Sequence, residues 1–373
     1  MLRQEASSRS LKIIGVALVA AVGAAAAWLV ALGNPGNMGI CGACFIRDSA
    51  GALKLFQPGP QYMRPEMPGL LLGAFLLALL TRRFTARSGG FAAGRFVLGF
   101  LMAIAALVFL GCPFRMLQRL GGGDLNAWIG LPGFIAGVGL GYLLERRGYS
   151  AGKTAPAPAA VGILGPLAGA CLLGYFLTGL LAGPGPGDDS GKPPHAAWMI
   201  ALGIGLAAGA VLAVTGFCAV SSARQIFVKP KAMLLAAVAL VAGYAAVALG
   251  TGKFSASLEA QPAAHGDWLW NVLALGLLGL TGVLAGGCPV RQMIMAGEGN
   301  SDALVCVAGM FLGSAVAQNF GLVSASMSPD GPGGSSAGGR TAVVAGLVLC
   351  AVYGLWLARS LKSAPSSGET SAP

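Results

Sequence analysis

The sequence predicts an all-α polytopic membrane protein: about ten transmembrane helices and four re-entrant half-helices, in two inverted five-helix repeats with an hourglass shape. The chain of 373 residues is 55% hydrophobic and only 10% charged, with 60 glycines and a mean hydropathy of +0.75. A soluble domain carries about 25% charged residues. Two further observations support the prediction: a duplicated cysteine motif and a one-sided distribution of Lys and Arg.

Ten apolar runs follow one another along the chain, each close to the roughly 20 residues that cross a bilayer. Abundant glycine is typical of packed membrane helices. The predicted spans are 12–32, 66–82, 92–111, 127–145, 161–182, 196–216, 231–250, 267–286, 302–322 and 341–359. The formal net charge of +11 is explained by cations that flank membrane spans, so we expect the lipid bilayer and no nucleic acid as a partner.

Four cysteine segments interrupt these spans in a repeating pattern. Cys112-Pro113-Phe114-Arg115 in the first half recurs as Cys288-Pro289-Val290-Arg291 in the second. Upstream, Cys41 precedes Arg47 and Cys218 precedes Arg224 with the same spacing of five intervening residues. Each segment is 10–15 residues of half-apolar helix, too short to span and too apolar for an ordinary loop. We therefore predict re-entrant half-helices after the first, third, sixth and eighth spans.

The repeated motifs divide the chain into two halves. The first repeat comprises 1–160 together with the helix 161–182, and the second comprises 195–360. The tail 361–373 is expected to be disordered and cytoplasmic. Because five helices per repeat is an odd number, the second repeat must enter the membrane from the opposite face, which makes the duplication inverted. Half-helices that meet in pairs from the two sides then form an hourglass-shaped passage.

The distribution of Lys and Arg orients the spans. With ten spans and both termini in the cytoplasm, all five cation-rich segments fall on one side. They contain Arg3, Arg9 and Lys12; Arg82, Arg83, Arg87 and Arg95; Arg146, Arg147 and Lys153; Arg224, Lys229 and Lys231; and Arg359 and Lys362. The opposite loops are richer in acids: Asp188, Asp189, Glu259, Asp267 and Asp330.

The two Cys-Pro motifs carry the predicted chemistry. Proline fits the first turn of a helix, which makes Cys112 and Cys288 the N-cap residues. Their sulfur atoms would face free backbone N–H groups and the positive end of the helix dipole. Arg115 and Arg291 follow three positions later on the same helix face. Since a thiol is a weak donor and a soft acceptor, this combination predicts a binding surface for an anion that contains sulfur or selenium.

The candidate site residues fall into two sets. A substrate path is predicted along four cysteines: Cys41, Cys112, Cys218 and Cys288. Anion binding is predicted for Arg115, Arg291, Arg47 and Arg224, although Arg47 and Arg224 fit a role as orientation anchors equally well. The remaining membrane cysteines are expected to be packing residues: Cys171, Cys306 and Cys350. No metal site is predicted, since no Cys/His cluster has zinc spacing, and no nucleotide-binding motif occurs.

The motifs together resemble the YedE/YeeE family of membrane transporters. The resemblance is carried by Gly33-Asn34-Pro35-Gly36-Asn37-Met38-Gly39-Ile40-Cys41, by Gly111 to Arg115, by Cys218-x5-Arg224, and by Gly287 to Arg291 with the following stretch 296–302. It covers nearly the whole chain. The long N-terminal signature and the end of the fourth motif are most similar to the YedE branch, which is assigned to selenium transport.

This resemblance implies import of a small sulfur or selenium compound across the bacterial inner membrane, with thiosulfate as the substrate of the YeeE branch. It implies that the four path cysteines pass the substrate along by S–H···S contacts inside an hourglass-shaped inverted repeat. It also implies a cytosolic acceptor, a small TusA-like sulfur-carrier protein. No enzymatic activity and no cofactor are expected.

Two other functions remain open. Cys41-Gly42-Ala43-Cys44 is a C-x-x-C motif, which suits a membrane thiol oxidoreductase. The matching Cys218-Ala219-Val220-Ser221 lacks the second cysteine, which weakens this interpretation. The third possibility is a subunit of a larger export or assembly complex that has no substrate of its own.

Overall fold

The computed structural model describes residues 2–57, 59–152, 154–185, 194–329 and 331–363. Most of the predicted tail, from residue 364 onward, lies outside the described residues. The helices are α1 Leu2–Ala31, α2 Gly42–Ala52, α3 Glu66–Leu80, α4 Ala92–Phe109, α5 Pro113–Gly121, α6 Leu125–Arg146, α7 Ala159–Gly162, α8 Leu164–Leu177, α9 Trp198–Thr215, α10 Ala219–Arg224, α11 Ala232–Gly250, α12 Trp268–Ala285, α13 Pro289–Gly297, α14 Ser301–Asn319 and α15 Ala337–Ser363. Two short antiparallel strands, β1 Arg87–Ser88 and β2 Ala155–Pro156, join two loops.

The fold class is confirmed: this is an all-α polytopic membrane protein. Within the described residues, eight segments are long and apolar enough to cross a membrane. The predicted second and fifth spans correspond to α3 and α8, which have 15 and 14 residues. At 1.5 Å per residue these helices are about 22 Å long, shorter than the roughly 30 Å hydrocarbon layer. They are apolar helices that are shorter than the spans the sequence predicts at these positions.

The four cysteine segments form short helices, as the motif pattern predicts. They are α2, α5, α10 and α13, with 11, 9, 6 and 9 residues. Three of them are shorter than the predicted 10–15 residues. In α5 and α13 a glycine turn ends the helix, with φ of +91° at Gly123 and +94° at Gly299. Such angles suit glycine alone among common residues.

Long helices of the two halves pack in four close pairs: α1 with α11, α3 with α9, α4 with α14, and α6 with α12. Glycines make the close approach possible. A Cβ atom on Gly137 of α6 would lie 1.9 Å from the carbonyl oxygen of Gly276 on α12, and one on Gly73 of α3 would lie 2.0 Å from that of Leu206 on α9. Small residues at helix contacts are the usual means of membrane-helix association.

The turns after α5 and α13 make matching contacts. The N–H of Ser257, in the loop after α11, donates to the carbonyl of Gly123 over 3.3 Å. The N–H of Arg87, in the loop after α3, donates to the carbonyl of Gly299 over 3.1 Å. In each case the loop that follows a long helix of one half, α3 or α11, binds the glycine turn after a half-helix of the other half. Such reciprocal contacts are expected of two related halves.

Candidate functional site

Each of the four path cysteines is the N-cap residue of a short helix. Cys41 precedes α2, Cys112 precedes α5, Cys218 precedes α10 and Cys288 precedes α13. All four have extended backbone conformations, and the prolines of the two Cys-Pro motifs occupy the first helical turn, as predicted. The four residues are at most 2% exposed. The sequence therefore places four thiols at helix starts inside the protein.

The thiols form two groups. In the first, the sulfur atoms of Cys41 and Cys112 lie 3.7 Å apart, and the N–H of Cys44 donates to the Cys41 sulfur over 3.3 Å. In the second, the N–H of Cys288 donates to the Cys218 sulfur over 3.3 Å. Each group thus joins the two motif cysteines of one half, and all eight cysteines of the chain are free thiols.

The helix starts of the two halves also meet each other. A Cβ atom on Gly42, the first residue of α2, would lie 2.8 Å from the backbone nitrogen of Val290 in α13. Phe114 of α5 packs edge-on against Phe217, which precedes Cys218, with ring centroids 5.9 Å apart. The positive ends of three helices of nine or eleven residues, α2, α5 and α13, therefore point into one region, which favours an anion there.

Arg115 lies beside the first thiol group and is 1% exposed. Its Nε donates to the carbonyl of Asn37 over 2.8 Å, and its Nη1 donates to that of Leu110 over 2.5 Å. Its Nη2 donates to the carbonyls of Gly36 and Pro262, and Nη1 lies 3.9 Å from the Cys44 sulfur. All of these partners are uncharged, and none of the ion pairs among the described residues includes Arg115. Its positive charge therefore has no carboxylate counterion.

The other three candidate arginines are each paired with a carboxylate. Arg47 lies 2.5 Å from Asp48. Arg291 lies 3.3 Å from Glu298, with both side chains 18% exposed. Arg224 lies 2.7 Å from Glu145, and its side chain is 43% exposed. Asp48 also pairs with Arg64 and so compensates Arg47 only in part. Among the described residues, Arg115 is still the one of the four candidate arginines that has no carboxylate partner.

Sequence reasoning missed Gln118, which lies on α5 one turn after Phe114. Its Oε1 accepts from the N–H of Ile40 over 3.1 Å, and its Nε2 donates to the Ile40 carbonyl. This pair of bonds fixes the backbone immediately before Cys41 against the helix that Cys112 starts. The available sequence signal was a polar glutamine within a half-helix that is predicted to re-enter the membrane.

Two buried charge groups were also missed. Arg64, which is fully buried, lies 2.6 Å from Asp48 and donates to the Met38 sulfur. Glu66 and His195 lie 3.0 Å apart with both side chains buried. In the part of the chain that the structure describes, no group of three or more His, Cys, Asp or Glu side chains could hold a metal ion.

Residues 214–372 match the family model described as sulphur transport. The matched stretch includes Cys218, Cys288 and Arg291 and extends past the last described helix. No curated protein matches the chain. With the eight candidate spans, the match indicates a multi-pass membrane protein whose second half is similar to sulphur-transport proteins.

Proposed function

We propose that this protein imports a small sulfur- or selenium-containing compound, a thiosulfate-like anion or a selenium species, through a central path of cysteine thiols. The observation that carries the proposal is Arg115: a buried cation with no carboxylate partner among the described residues. Its Nη1 lies 3.9 Å from the sulfur of Cys44, the residue whose N–H contacts the Cys41 sulfur in the Cys41–Cys112 group. A buried charge in a membrane protein is costly and marks a functional pathway by default. The match to a sulphur-transport family model supports sulfur as the cargo.

The charges and the thiols have complementary roles. The helix N-termini donate hydrogen bonds to the anionic oxygens, and Arg115, whose donors are held by backbone carbonyls, stabilises the anion through its positive charge. The thiols offer soft, polarizable contacts to a sulfur or selenium atom. The substrate passes first along Cys41 and Cys112 and then along Cys218 and Cys288. The other candidate arginines act along the route of the substrate to and from the thiols: Arg47, Arg291 and Arg224. Their carboxylate partners weaken anion binding there and permit release.

The described conformation is closed at the thiols. All four cysteines are at most 2% exposed, and Gly42 lies against α13 without room for a Cβ atom. Conduction therefore requires the α2 and α5 side to separate from the α10 and α13 side. In a duplicated transporter, rocking of one repeat against the other around a fixed central site achieves this.

The topology completes the proposal. The repeats 1–182 and 195–360 are inverted in the bacterial inner membrane, α2, α5, α10 and α13 are re-entrant, and both termini are cytoplasmic. Cys41 and Cys112 then face the outside, and Cys218 and Cys288 face the cytoplasm. A TusA-like sulfur-carrier protein would accept the substrate on the cytoplasmic side.

One observation favours a second candidate function, a thiol oxidoreductase that uses Cys41 and Cys44. The Cys41 sulfur accepts the Cys44 N–H at the start of α2, so the two cysteines of the C-x-x-C motif lie side by side at one helix start. Loss of activity in Cys44→Ser with Cys112→Ala tolerated would favour this function. The reverse result would favour transport.

The transport proposal is tested by uptake of labelled thiosulfate and selenite into proteoliposomes. We expect Cys112→Ala and Cys288→Ala to abolish uptake while the folded protein is retained. The matched control is Cys171→Ala, because Cys171 is exposed on α8 and lies outside both thiol groups. Normal transport by folded Cys112→Ala would contradict the thiol path.

A further inference from the structure

A buried acid–base pair lies away from the thiols. Glu66, the first residue of α3, is completely buried. Its Oε1 accepts from Nδ2 of Asn34 over 2.7 Å and lies 3.0 Å from Nε2 of His195. Its Oε2 is buried and has no hydrogen-bond partner among the described residues. The pair therefore contains a carboxylate oxygen that is free to take a proton.

The electrostatic surroundings of Glu66 come from few residues. Arg64, two positions earlier, acts on the carboxylate electrostatically, and the Arg47–Asp48 pair lies on α2, a helix that contacts α3. Of the other helices that contact α3, α8 and α9 contain no acidic, basic or histidine residue. Arg291 on α13 is paired with Glu298. His195 is thus the one titratable group among these that contacts the Glu66 carboxylate directly.

The pair is connected to both sides of Cys41. Asn34 lies in the segment 32–40 that leads into Cys41, and its Oδ1 accepts the N–H of Ala196 over 3.0 Å. Arg64 donates to the Met38 sulfur in the same segment and pairs with Asp48 on α2, the helix that Cys41 starts. A change of charge on Glu66 alters the strength of its hydrogen bond with Asn34, and so how firmly the segment before Cys41 is fixed.

Accumulation of an anion against an inside-negative membrane potential needs an energy source, and a co-transported cation is one such source. This step rests on the proposed function. Moving one negative charge into a cell that is negative inside costs about 2.3 kcal/mol per 100 mV of membrane potential. The described residues offer no cluster of acidic, histidine or cysteine side chains for a metal ion. A buried carboxylate–imidazole pair is the typical site of a proton relay in membrane proteins.

We propose that Glu66 and His195 form a proton-binding site that couples anion import to the proton gradient. A proton from the side on which His195 lies binds the pair, neutralises the carboxylate and loosens its contact with Asn34. The segment 32–40 and Cys41 then rearrange together. The proton leaves on the other side after the repeats rock, so no electron transfer or covalent step is involved.

The test uses wild-type proteoliposomes and three variants, with labelled thiosulfate as the probe. In the wild type we expect an inward proton gradient to drive accumulation, by about tenfold per coupled proton for each pH unit, and substrate addition to raise the external pH. Glu66→Gln keeps an acceptor for Asn34 but cannot carry the proton. It should lose gradient-driven accumulation and the pH change while keeping substrate exchange at equilibrium.

His195→Gln should shift the pH dependence of accumulation. The control is Asp267→Asn, because Asp267 is a carboxylate that precedes α12 and pairs with Arg340 at the start of α15, with no contact to Glu66 or His195 among the described residues. It should behave like the wild type. Wild-type uptake without proton movement, or unchanged coupling in Glu66→Gln, would overturn the proton site. Absence of any wild-type uptake, with or without a gradient, would instead overturn the transport proposal.

Discussion

The sulfur atoms of Cys41 and Cys112 lie 3.7 Å apart, although 71 positions separate the two residues in the chain. Both are N-cap residues of short buried helices, α2 and α5. Gln118 holds the backbone before Cys41 against α5, so the contact does not depend on the sulfur atoms alone. The first thiol group is therefore built by packing between two half-helices.

Oxidation should capture this contact. In Cys44→Ala, which removes the competing neighbour of Cys41, treatment with diamide should link Cys41 to Cys112, since small movements bring two touching thiols to disulfide distance. Mass spectrometry of the digested protein should identify the linked peptides, uptake should stop, and a reductant should restore it. Cys44→Ala combined with Cys112→Ala should give no disulfide-linked peptide after the same treatment. Loss of uptake in Cys44→Ala without a Cys41–Cys112 linked peptide would separate the inactivation from this contact.

The sequence predicts the local part of this site and not its long-range part. The Cys-Pro spacing is enough to place Cys112 and Cys288 at N-caps, because proline selects the first helical turn. The orientation of Arg115 depends on a distant feature. Leu110 ends α4 with a φ of +62°, which leaves its carbonyl available, and the segment 36–37 supplies two more. Side-chain periodicity in α5 alone does not contain this information.

The contacts of the buried charges are also long-range and are not predictable from local sequence. His195 and Glu66 lie in different halves of the chain, so neither the composition of the loop before α9 nor that of α3 predicts their contact. The fold class, by contrast, follows from hydropathy and motif repetition, which are local properties summed along the chain. Two of the three half-helices that are shorter than predicted, α5 and α13, end early at glycine turns.

Glycine contacts between the long helices should control stability. Alanine at Gly137 would place a Cβ atom 1.9 Å from a backbone oxygen of α12, whereas alanine at Gly203 of α9 meets nothing within 4 Å. We expect Gly137→Ala to cost about 1–3 kcal/mol through overpacking. Gly203→Ala should gain about 0.5–1 kcal/mol from helix propensity. Thermal unfolding followed by size-exclusion chromatography compares them, and equal midpoints would refute the predicted close approach.

The inverted topology can be tested at two matched loops. Arg83 follows α3 and Lys253 follows α11, and both are exposed. In a Cys171→Ala background, a membrane-impermeant maleimide should label Lys253→Cys in intact cells. Arg83→Cys should react only after permeabilisation, because the positive-inside rule places its loop in the cytoplasm. Labelling of both positions from the same side would contradict the inversion, and the opposite pattern would reverse the orientation.

The uncompensated charge of Arg115 should determine anion recognition. Arg115→Gln removes the charge and several donors to buried carbonyls, each of which costs about 1–3 kcal/mol when left unsatisfied. We expect the variant to be less stable than the wild type. We also expect competition by thiosulfate, a dianion, to fall more than competition by hydrogen sulfide. Arg115→Lys keeps the charge but lacks the planar fork, so it should restore part of the competition by thiosulfate. It also supplies a better-folded variant for the assay.

Arg291→Gln is the matched control, since Glu298 already compensates Arg291. Its ratio of competition by the two compounds should change less. If the folded Arg115 variants keep the wild-type ratio between the two competitors, Arg115 is a structural clamp on the segment before Cys41 and does not select the anion.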